Sequence, residues 1–148
     1  MHWLAIPALT VLWEAFWWQK RIIDRNDSYS KAFHHSRVMG VPLVVIGAAD
    51  LGATNGPWIG DINIDIEKSN TPNFIQCDIT KLIPLRDNSC VVFVSCVLEY
   101  VDNLENAMKE LKRVAQDRVY ICRVQPWTLT SLVYPNNKRV LDSSLIRK

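Results

Sequence analysis

A glycine-containing turn and a later aspartate are the residues of this sequence best suited to bind a small molecule. The turn GAADLGATNGP begins at Gly47, directly after an apolar run, and Asp65 follows 18 positions later. A glycine turn after a first strand lets the backbone approach a ligand, and a carboxylate about 20 positions further on can accept hydrogen bonds from both ribose hydroxyls. The two features together predict a nucleoside-binding site. A tight turn without a ligand explains the glycines equally well when they are taken alone.

The cysteines and histidines favour structural roles over metal or nucleophilic chemistry. The four cysteines lie in or beside apolar stretches and lack the close spacing of zinc sites and redox dithiols: Cys77, Cys90, Cys96 and Cys122. We predict that they are reduced core residues in a cytosol-like compartment. Cys96 has no histidine near it in sequence, which favours a neutral thiol. Adjacent His34 and His35 would diverge by about 100° on a helix, so we interpret them as solvated linker residues and expect no metal site.

Five short segments have the patterns of β-strands. Continuous apolar runs are typical of strands covered on both faces, and alternation with period 2 is typical of a half-covered strand. The predicted strands are VPLVVI (41–46), GDINIDI (60–66), NFIQCD (73–78), CVVFVS (90–95) and RVYICRV (118–124). The links at 47–57 and 66–72 are short for parallel crossovers, so either these crossovers are minimal or one strand is misassigned.

One amphipathic helix is predicted over residues 103–116. Its apolar residues recur at helical spacing and define one face: Leu104, Ala107, Met108, Leu111, Val114 and Ala115. The opposite face is charged. Asp102 and Glu105 resemble a capping box at its start. Strands that alternate with turns and a helix predict an α/β fold with a mostly parallel sheet.

The N-terminal segment is the compositional outlier. Residues 3–18 contain four of the six tryptophans and a single charged residue. As a helix this segment covers about 24 Å, short of the roughly 30 Å hydrocarbon core, so a spanning helix and an interfacial helix both remain open. Two tryptophans precede three basic residues, which resembles an aromatic belt with positive charge on the cytosolic side: Trp17, Trp18, Lys20, Arg21 and Arg25. We expect membrane contact through residues 3–18, at the cytoplasmic face of a membrane; packing against the domain or a protein partner is the alternative.

Composition predicts one domain with appendages. The chain has 148 residues and a net charge of +2 with dispersed basic residues, so no nucleic-acid partner is indicated. We predict an apolar helix at 1–23, a linker or lead-in helix at 24–40, an α/β domain at 41–124 and an extension at 125–148.

Two stretches carry a more specific pattern, GPWIGDINIDI and CDITKLIPLRDNSCVVFVSCVLEYVDNLENAMKELKRV. They contain a strand ending in aspartate, an Asp-x-Thr element, an I-P-x-x-D-N-S turn, and L-E-x-V before an amphipathic helix. This pattern resembles the methyltransferase type 11 group of class I S-adenosylmethionine-dependent methyltransferases. The resemblance implies a Rossmann-like fold with about five strands and an incomplete methyltransferase core. It also implies S-adenosylmethionine as the cofactor and methyl transfer as the reaction.

The resemblance implies a set of cofactor-binding residues, Gly47, Ala49, Asp65, Asp78, Ile79, Ser95 and Cys96. In that assignment the glycine turn lies under the methionine part and Asp65 holds the ribose. Asp78 and Ile79 lie beside the adenine, and the last two residues form the floor near the methyl group. Read without the family, Asp78 is a turn aspartate that bonds its own backbone ahead of Thr80.

Several positions depart from the family pattern. Val45 replaces an acidic residue before the first glycine, Ala49 replaces the second glycine, and Cys96 and Tyr100 stand where histidines are frequent. We therefore carry two main hypotheses: a membrane-associated methyltransferase with no identified acceptor, and an inactive methyltransferase-like domain acting as a membrane-tethered scaffold. A Rossmann-like binder of another adenine nucleotide is a third interpretation.

Overall fold

Five parallel strands form one sheet between helices. The computed structural model describes residues 5–47, 58–123 and 128. The strands are β1 (Leu43–Ile46), β2 (Ile62–Asp65), β3 (Phe74–Gln76), β4 (Cys90–Ser95) and β5 (Ala115–Cys122); the flanking helices are α1 (Ala5–Met39) and α2 (Leu104–Val114). Across the sheet the order is β3-β2-β1-β4-β5, and every neighbouring pair is parallel. The predicted α/β fold with a mostly parallel sheet of about five strands is confirmed.

The two central strands are buried along their whole length because each face of the sheet packs against a helix. Successive side chains of a strand point to opposite faces. Val44 accordingly lies in the apolar layer that contains Leu111 of α2, and Val45 lies in the layer that contains Ala32 of α1. Burial on both faces explains why these strands are unbroken apolar runs in the sequence.

Helix α2 presents its predicted apolar stripe to the sheet, but its ends differ from the prediction. Asn103 is the N-cap: its side-chain Oδ1 accepts a hydrogen bond from the backbone N of Asn106 at 3.0 Å. The assignment of this role to Asp102 was wrong by one residue. The helix ends at Val114, and the chain enters β5 directly at Ala115, where the backbone is extended (φ −71°, ψ 132°). Pairing with β4 therefore takes residues that helical periodicity alone assigned to α2.

Helix α1 is a single 35-residue helix that includes the predicted lead-in segment. Its C-terminal half is fastened to the sheet by polar contacts. The hydroxyl of Tyr29 donates to the carbonyl oxygen of Ile59 at 2.7 Å. Arg37 Nη2 lies 2.9 Å from Asp61 Oδ1, and Asp61 Oδ2 accepts from the backbone N of Leu43 at 2.8 Å. One aspartate thus connects α1 to the start of β1.

The histidine pair on α1 divides between solvent and the sheet. His34 is exposed, as predicted. His35 is only 18% exposed: its Nδ1 lies 3.2 Å from the Tyr120 hydroxyl oxygen, and its Nε2 lies 3.8 Å from Asp117 Oδ2. The interpretation of His35 as a solvated linker residue was wrong, because α1 packs against β5.

The link between β2 and β3 is a minimal crossover, since residues 66–73 contain no helix. The side chain of Asn63 in β2 holds this connection in place with hydrogen bonds. Its Nδ2 donates to the carbonyl oxygens of Gly60 (3.1 Å) and Pro72 (2.7 Å), and its Oδ1 accepts from the Gly60 N (2.9 Å). The alternation of β2 predicted an open polar face, but Asn63 is fully buried, and these hydrogen bonds offset the cost of burying its amide.

Arg113 of α2 holds the segment before β4. Its Nη2 donates to the carbonyl oxygen of Ile83 (2.8 Å), its Nη1 donates to that of Leu85 (2.9 Å), and its Nε donates to Glu110 Oε1 (3.0 Å). The Glu110 carboxylate also accepts from the backbone N of Ile83 at 2.9 Å. Arg113 therefore connects α2 to the segment before β4.

In the N-terminal half of α1, large apolar side chains are exposed, including Leu12, Trp13, Phe16 and Trp18. No helix in the described part of the chain combines the length and apolarity needed to cross a membrane. Arg25 is only 6% exposed, and its guanidinium lies 4.5 Å from the centre of the Trp58 ring, so it is not part of a positive belt beyond the tryptophans. The predicted extension at 125–148 lies outside the described residues apart from Thr128.

Candidate functional site

A cavity lies where the carboxyl ends of β1, β2 and β3 meet the turn after β4. Ligands of open parallel sheets bind at this edge. The cavity measures about 150 Å³ and is lined by Ile46, Gly47, Asp65, Ile66, Cys77, Asp78, Ile79, Thr80, Val97, Tyr100, Val101 and Asp102. Small-molecule pockets usually enclose about 300–1,000 Å³. The cavity formed by the described residues is therefore smaller than a usual small-molecule pocket.

Gly47 begins the turn after β1 in a conformation that favours glycine. Its φ is +87°, and its backbone N donates to the carbonyl oxygen of Ile64 at 2.9 Å. A Cβ at this position would lie 2.6 Å from the carbonyl oxygen of Ser95 and would also overlap the side chain of Val97. The close approach of β1 to the end of β4 therefore requires glycine here, whether or not a ligand binds.

Asp65 ends β2 and lines the cavity, where it is half-buried. Its Oδ1 accepts from the backbone N of Glu67 at 3.0 Å, and its carbonyl oxygen accepts from the N of Cys77 at 2.8 Å. These bonds fix the backbone at the end of the strand. An ionised carboxylate has several lone-pair sites, so the group can accept further hydrogen bonds from neighbouring hydroxyls. The resemblance assigns ribose binding to this carboxylate, which lies on the cavity wall.

Asp78 lines the same cavity, but its carboxylate is engaged by the turn that it begins. Its Oδ1 accepts from the backbone N (2.9 Å) and the hydroxyl (2.7 Å) of Thr80. These hydrogen bonds lower the pKa of Asp78; burial opposes the shift and nearby Lys81 adds to it. The turn-aspartate interpretation therefore describes its geometry correctly. The neighbouring Ile79 is 4% exposed and supplies part of an apolar wall.

Ser95 and Cys96 are not among the residues that line the cavity. The chain turns at Cys96, whose φ is +53°, and its side chain packs beside Trp58 on the α1 face of the sheet. Val97 takes the place on the cavity wall that the resemblance implied for these two residues. Ala49, the remaining residue of the implied set, lies outside the described residues.

The sequence reasoning missed the wall formed by the turn after β4. Val97, Tyr100, Val101 and Asp102 line the cavity, and the backbone N of Tyr100 donates to the carbonyl oxygen of Val97 at 2.9 Å. A signal was available, because the segment directly follows a buried parallel strand, whose carboxyl end adjoins the ligand site in such folds.

Val45, which replaces the acidic residue of the family pattern, lies in the protein core. Val45 is 1% exposed and packs in the same apolar cluster as Phe93 and Trp58, on the α1 face. An aspartate introduced here would enter the core between sheet and helix, where an unpaired charge is strongly unfavourable.

A comparison with known protein families tests the resemblance seen in the sequence. Residues 60–122 match the family model described as a methyltransferase domain. This match supports a class I S-adenosylmethionine-dependent methyltransferase family domain over these residues. The matched region of the methyltransferase domain begins at Gly60 and includes Asp65, Asp78 and the turn after β4. Gly47 lies ahead of it, so its assignment rests on its place at the end of β1. No curated protein matches the chain, and no solved structure matches it.

Proposed function

We propose that the chain is a membrane-associated S-adenosylmethionine-dependent methyltransferase-like protein whose cavity binds the adenosyl part of the cofactor. The observation that supports this proposal is the meeting of Asp65 with apolar Ile46, Ile66 and Ile79 in one cavity. A carboxylate suits the ribose hydroxyls, and an apolar wall suits the face of an adenine ring. When bound, the cofactor supplies an activated methyl group. The contribution of the chain is to bind and orient it.

A catalytically inactive domain that acts as a scaffold is the second candidate. Val45 lies in the core and carries no charge, and the carboxylate of Asp78 is already bonded to Thr80. Among the described residues that line the cavity there is no histidine to serve as a general base. These observations favour a domain that keeps the methyltransferase fold but does not catalyse methyl transfer.

Calorimetric titration with S-adenosylmethionine and S-adenosylhomocysteine separates these candidates. If Asp65 accepts hydrogen bonds from the ribose, Asp65→Ala should weaken binding by about 1.5–3 kcal/mol for each lost bond, roughly ten- to hundredfold. Glu67→Ala is the matched control, because Glu67 is exposed, adjacent, and absent from the cavity lining. The absence of any binding heat at millimolar cofactor would reject cofactor binding and leave the scaffold.

Methyl transfer is tested separately, by following S-adenosylhomocysteine formation with cell extract as the source of acceptors. Product that forms with the unchanged chain and is lost in Asp65→Ala supports an enzyme. Binding without product favours the inactive domain.

We propose that the membrane contact is made by the N-terminal half of α1, which places the domain at the cytoplasmic face. In this segment the large apolar side chains Leu9, Val11, Leu12, Trp13, Phe16 and Trp18 are each at least 50% exposed. Trp13 and Phe16 each pack edge-on against Trp17, with ring centroids 5.6 and 5.4 Å apart. A broad aromatic surface of this kind is suited to the interface between headgroups and acyl chains.

Flotation with phosphatidylcholine vesicles, with and without phosphatidylserine, tests the membrane contact. The full chain should float with the vesicles, and the double variant Trp13→Ser, Trp18→Ser should remain at the bottom. Leu82→Ser is the control, because Leu82 is 74% exposed but lies far from α1 in sequence, in the segment before β4. A full chain that fails to float, yet self-associates through the same tryptophans, would instead support packing against a protein partner.

A further inference from the structure

A second buried polar cluster lies on the α1 face of the sheet, outside the cavity. We call it the Cys96–Cys122 cluster; it consists of these two cysteines with Arg25 and Trp58. The two Sγ atoms lie 3.8 Å apart, and the residues are 7% and 4% exposed. The guanidinium of Arg25 stacks over the Trp58 ring at 4.5 Å, and the Trp58 Nε1 donates to Asn26 Oδ1 at 2.8 Å. Helix α1, the β1–β2 link and the ends of β4 and β5 thus meet at one point.

Arg25 brings a buried positive charge to this cluster. A buried guanidinium needs an anionic or strongly accepting partner, because an uncompensated charge in the interior is costly. Among the described residues its Nε has no hydrogen-bond partner. Burial acts to lower the pKa of Arg25, and the two cysteines outweigh it; no carboxylate contributes to the shift. Among the described residues, the interactions that favour the charged form of Arg25 come from these two sulfur atoms.

The contact between the two thiols shifts their pKa values in opposite directions. The contact with the Cys122 sulfur lowers the pKa of Cys96 against the opposing effect of burial, and Arg25 and Arg21 add to the lowering. The same contact, together with burial, raises the pKa of Cys122. Of the two cysteines, Cys96 is therefore the one whose surroundings favour the thiolate. The sequence-based expectation of a neutral Cys96 rested on its sequence neighbours, whereas Arg25 comes from another element, α1.

We propose that Cys96 and Cys122 form an oxidation site, which a hydroperoxide converts to a disulfide joining the ends of β4 and β5. The Cys96 thiolate attacks one peroxide oxygen, so that a sulfenic acid forms and hydroxide leaves. Cys122 then attacks the sulfenic sulfur, loses its proton and expels water. The hydroxide takes up a proton from solvent, so one hydrogen peroxide is reduced to two waters while the two sulfur atoms are oxidised by one electron each.

The backbone around the two cysteines is already close enough for this bond. Ser95 pairs with Cys122 across the parallel strands, and the backbone N of Cys96 donates to the carbonyl oxygen of Cys122 at 2.9 Å. A disulfide requires the sulfur atoms to approach by about 2 Å from their present separation, which side-chain rotation can provide. The proposal does not depend on cofactor binding.

Intact-mass measurement and peptide mapping of the full chain test the proposal. The fully reduced chain is treated with hydrogen peroxide and then alkylated. The expected result is the loss of two hydrogen atoms, a crosslinked Cys96–Cys122 peptide, and free thiols at Cys77 and Cys90. Cys77 is the most exposed of the four cysteines, yet burial and two nearby carboxylates raise its pKa, so it is an internal control for simple accessibility.

Variants distinguish a tuned pair from general oxidation. Cys77→Ser should form the crosslink at the normal rate, and Cys122→Ser should stop at a sulfenic acid on Cys96. Arg25→Met, with its fold verified by circular dichroism, should slow the reaction several-fold. The proposal is overturned if Cys77 is oxidised first, if Cys96 and Cys122 remain alkylatable, or if Cys96 proceeds to a sulfinic acid without a crosslink.

Discussion

Replacement of Gly47 by alanine should destabilise the domain for two separable reasons. The first is conformational, because at φ +87° an alanine costs about 1–2 kcal/mol more than glycine. The second is steric, because the new Cβ would lie 2.6 Å from the carbonyl oxygen of Ser95, a backbone atom that cannot rotate away. Overpacking of this kind costs about 1–3 kcal/mol. The total of about 2–5 kcal/mol is a large fraction of the stability of a small domain.

Urea unfolding followed by far-UV circular dichroism measures this loss, and Gly40 provides the control. Gly40 ends α1 at φ +65°, and a Cβ built there meets no atom within 4 Å. Gly40→Ala therefore carries the conformational cost without the steric one and should lose only about 1–2 kcal/mol. If both variants lose the same free energy of unfolding, the close approach of Gly47 to β4 does not contribute, and the reasoning is refuted.

Two further predictions concern α2 and the contact between α1 and β1. Leu111 is fully buried between α2 and the sheet, so Leu111→Ala should lower the free energy of unfolding by about 2–5 kcal/mol, whereas Lys112→Ala on the exposed face should be nearly neutral; equal losses in urea unfolding would mean that the helix faces the sheet differently. Burial raises the pKa of Asp61, but hydrogen bonds from Arg37 and the backbone N of Leu43 outweigh it, so the pKa lies below the ordinary value of 3.8. The charged form therefore stabilises the fold above that pH, and the advantage of the unchanged chain over Asp61→Asn should shrink as the pH of thermal unfolding is lowered from about 5 toward 2. A gap that stays constant over this range would contradict the assignment.

Local sequence patterns predicted the main elements and the family resemblance. The unbroken apolar runs predicted β1 and β4, because a strand buried on both faces has apolar residues at every position. The helical spacing of apolar residues predicted α2, because a helix buried on one face has apolar residues every three or four positions. The element ends were less well predicted. The change from α2 to β5 at Ala115 depends on pairing with β4, which a helical pattern does not register.

Among the candidate site residues, Asp65, Asp78 and Ile79 lie in the cavity with Gly47, because each follows or ends a parallel strand and those ends meet at one edge. Ser95 and Cys96 do not, because the positive φ of Cys96 turns the chain and directs that side chain to the α1 face.

The sequence by itself therefore determined which segments are strands and helices, and which family pattern they carry. Only the tertiary structure decided what the side chains at the strand ends contact. Arg25 reads as part of a basic flank of the tryptophan segment, yet it is buried against Trp58 beside Cys96 and Cys122. The physical reason is that the spacing of apolar residues reflects burial within one element. The pKa of a thiol and the surroundings of an arginine depend instead on residues of other elements, which packing brings within a few ångströms.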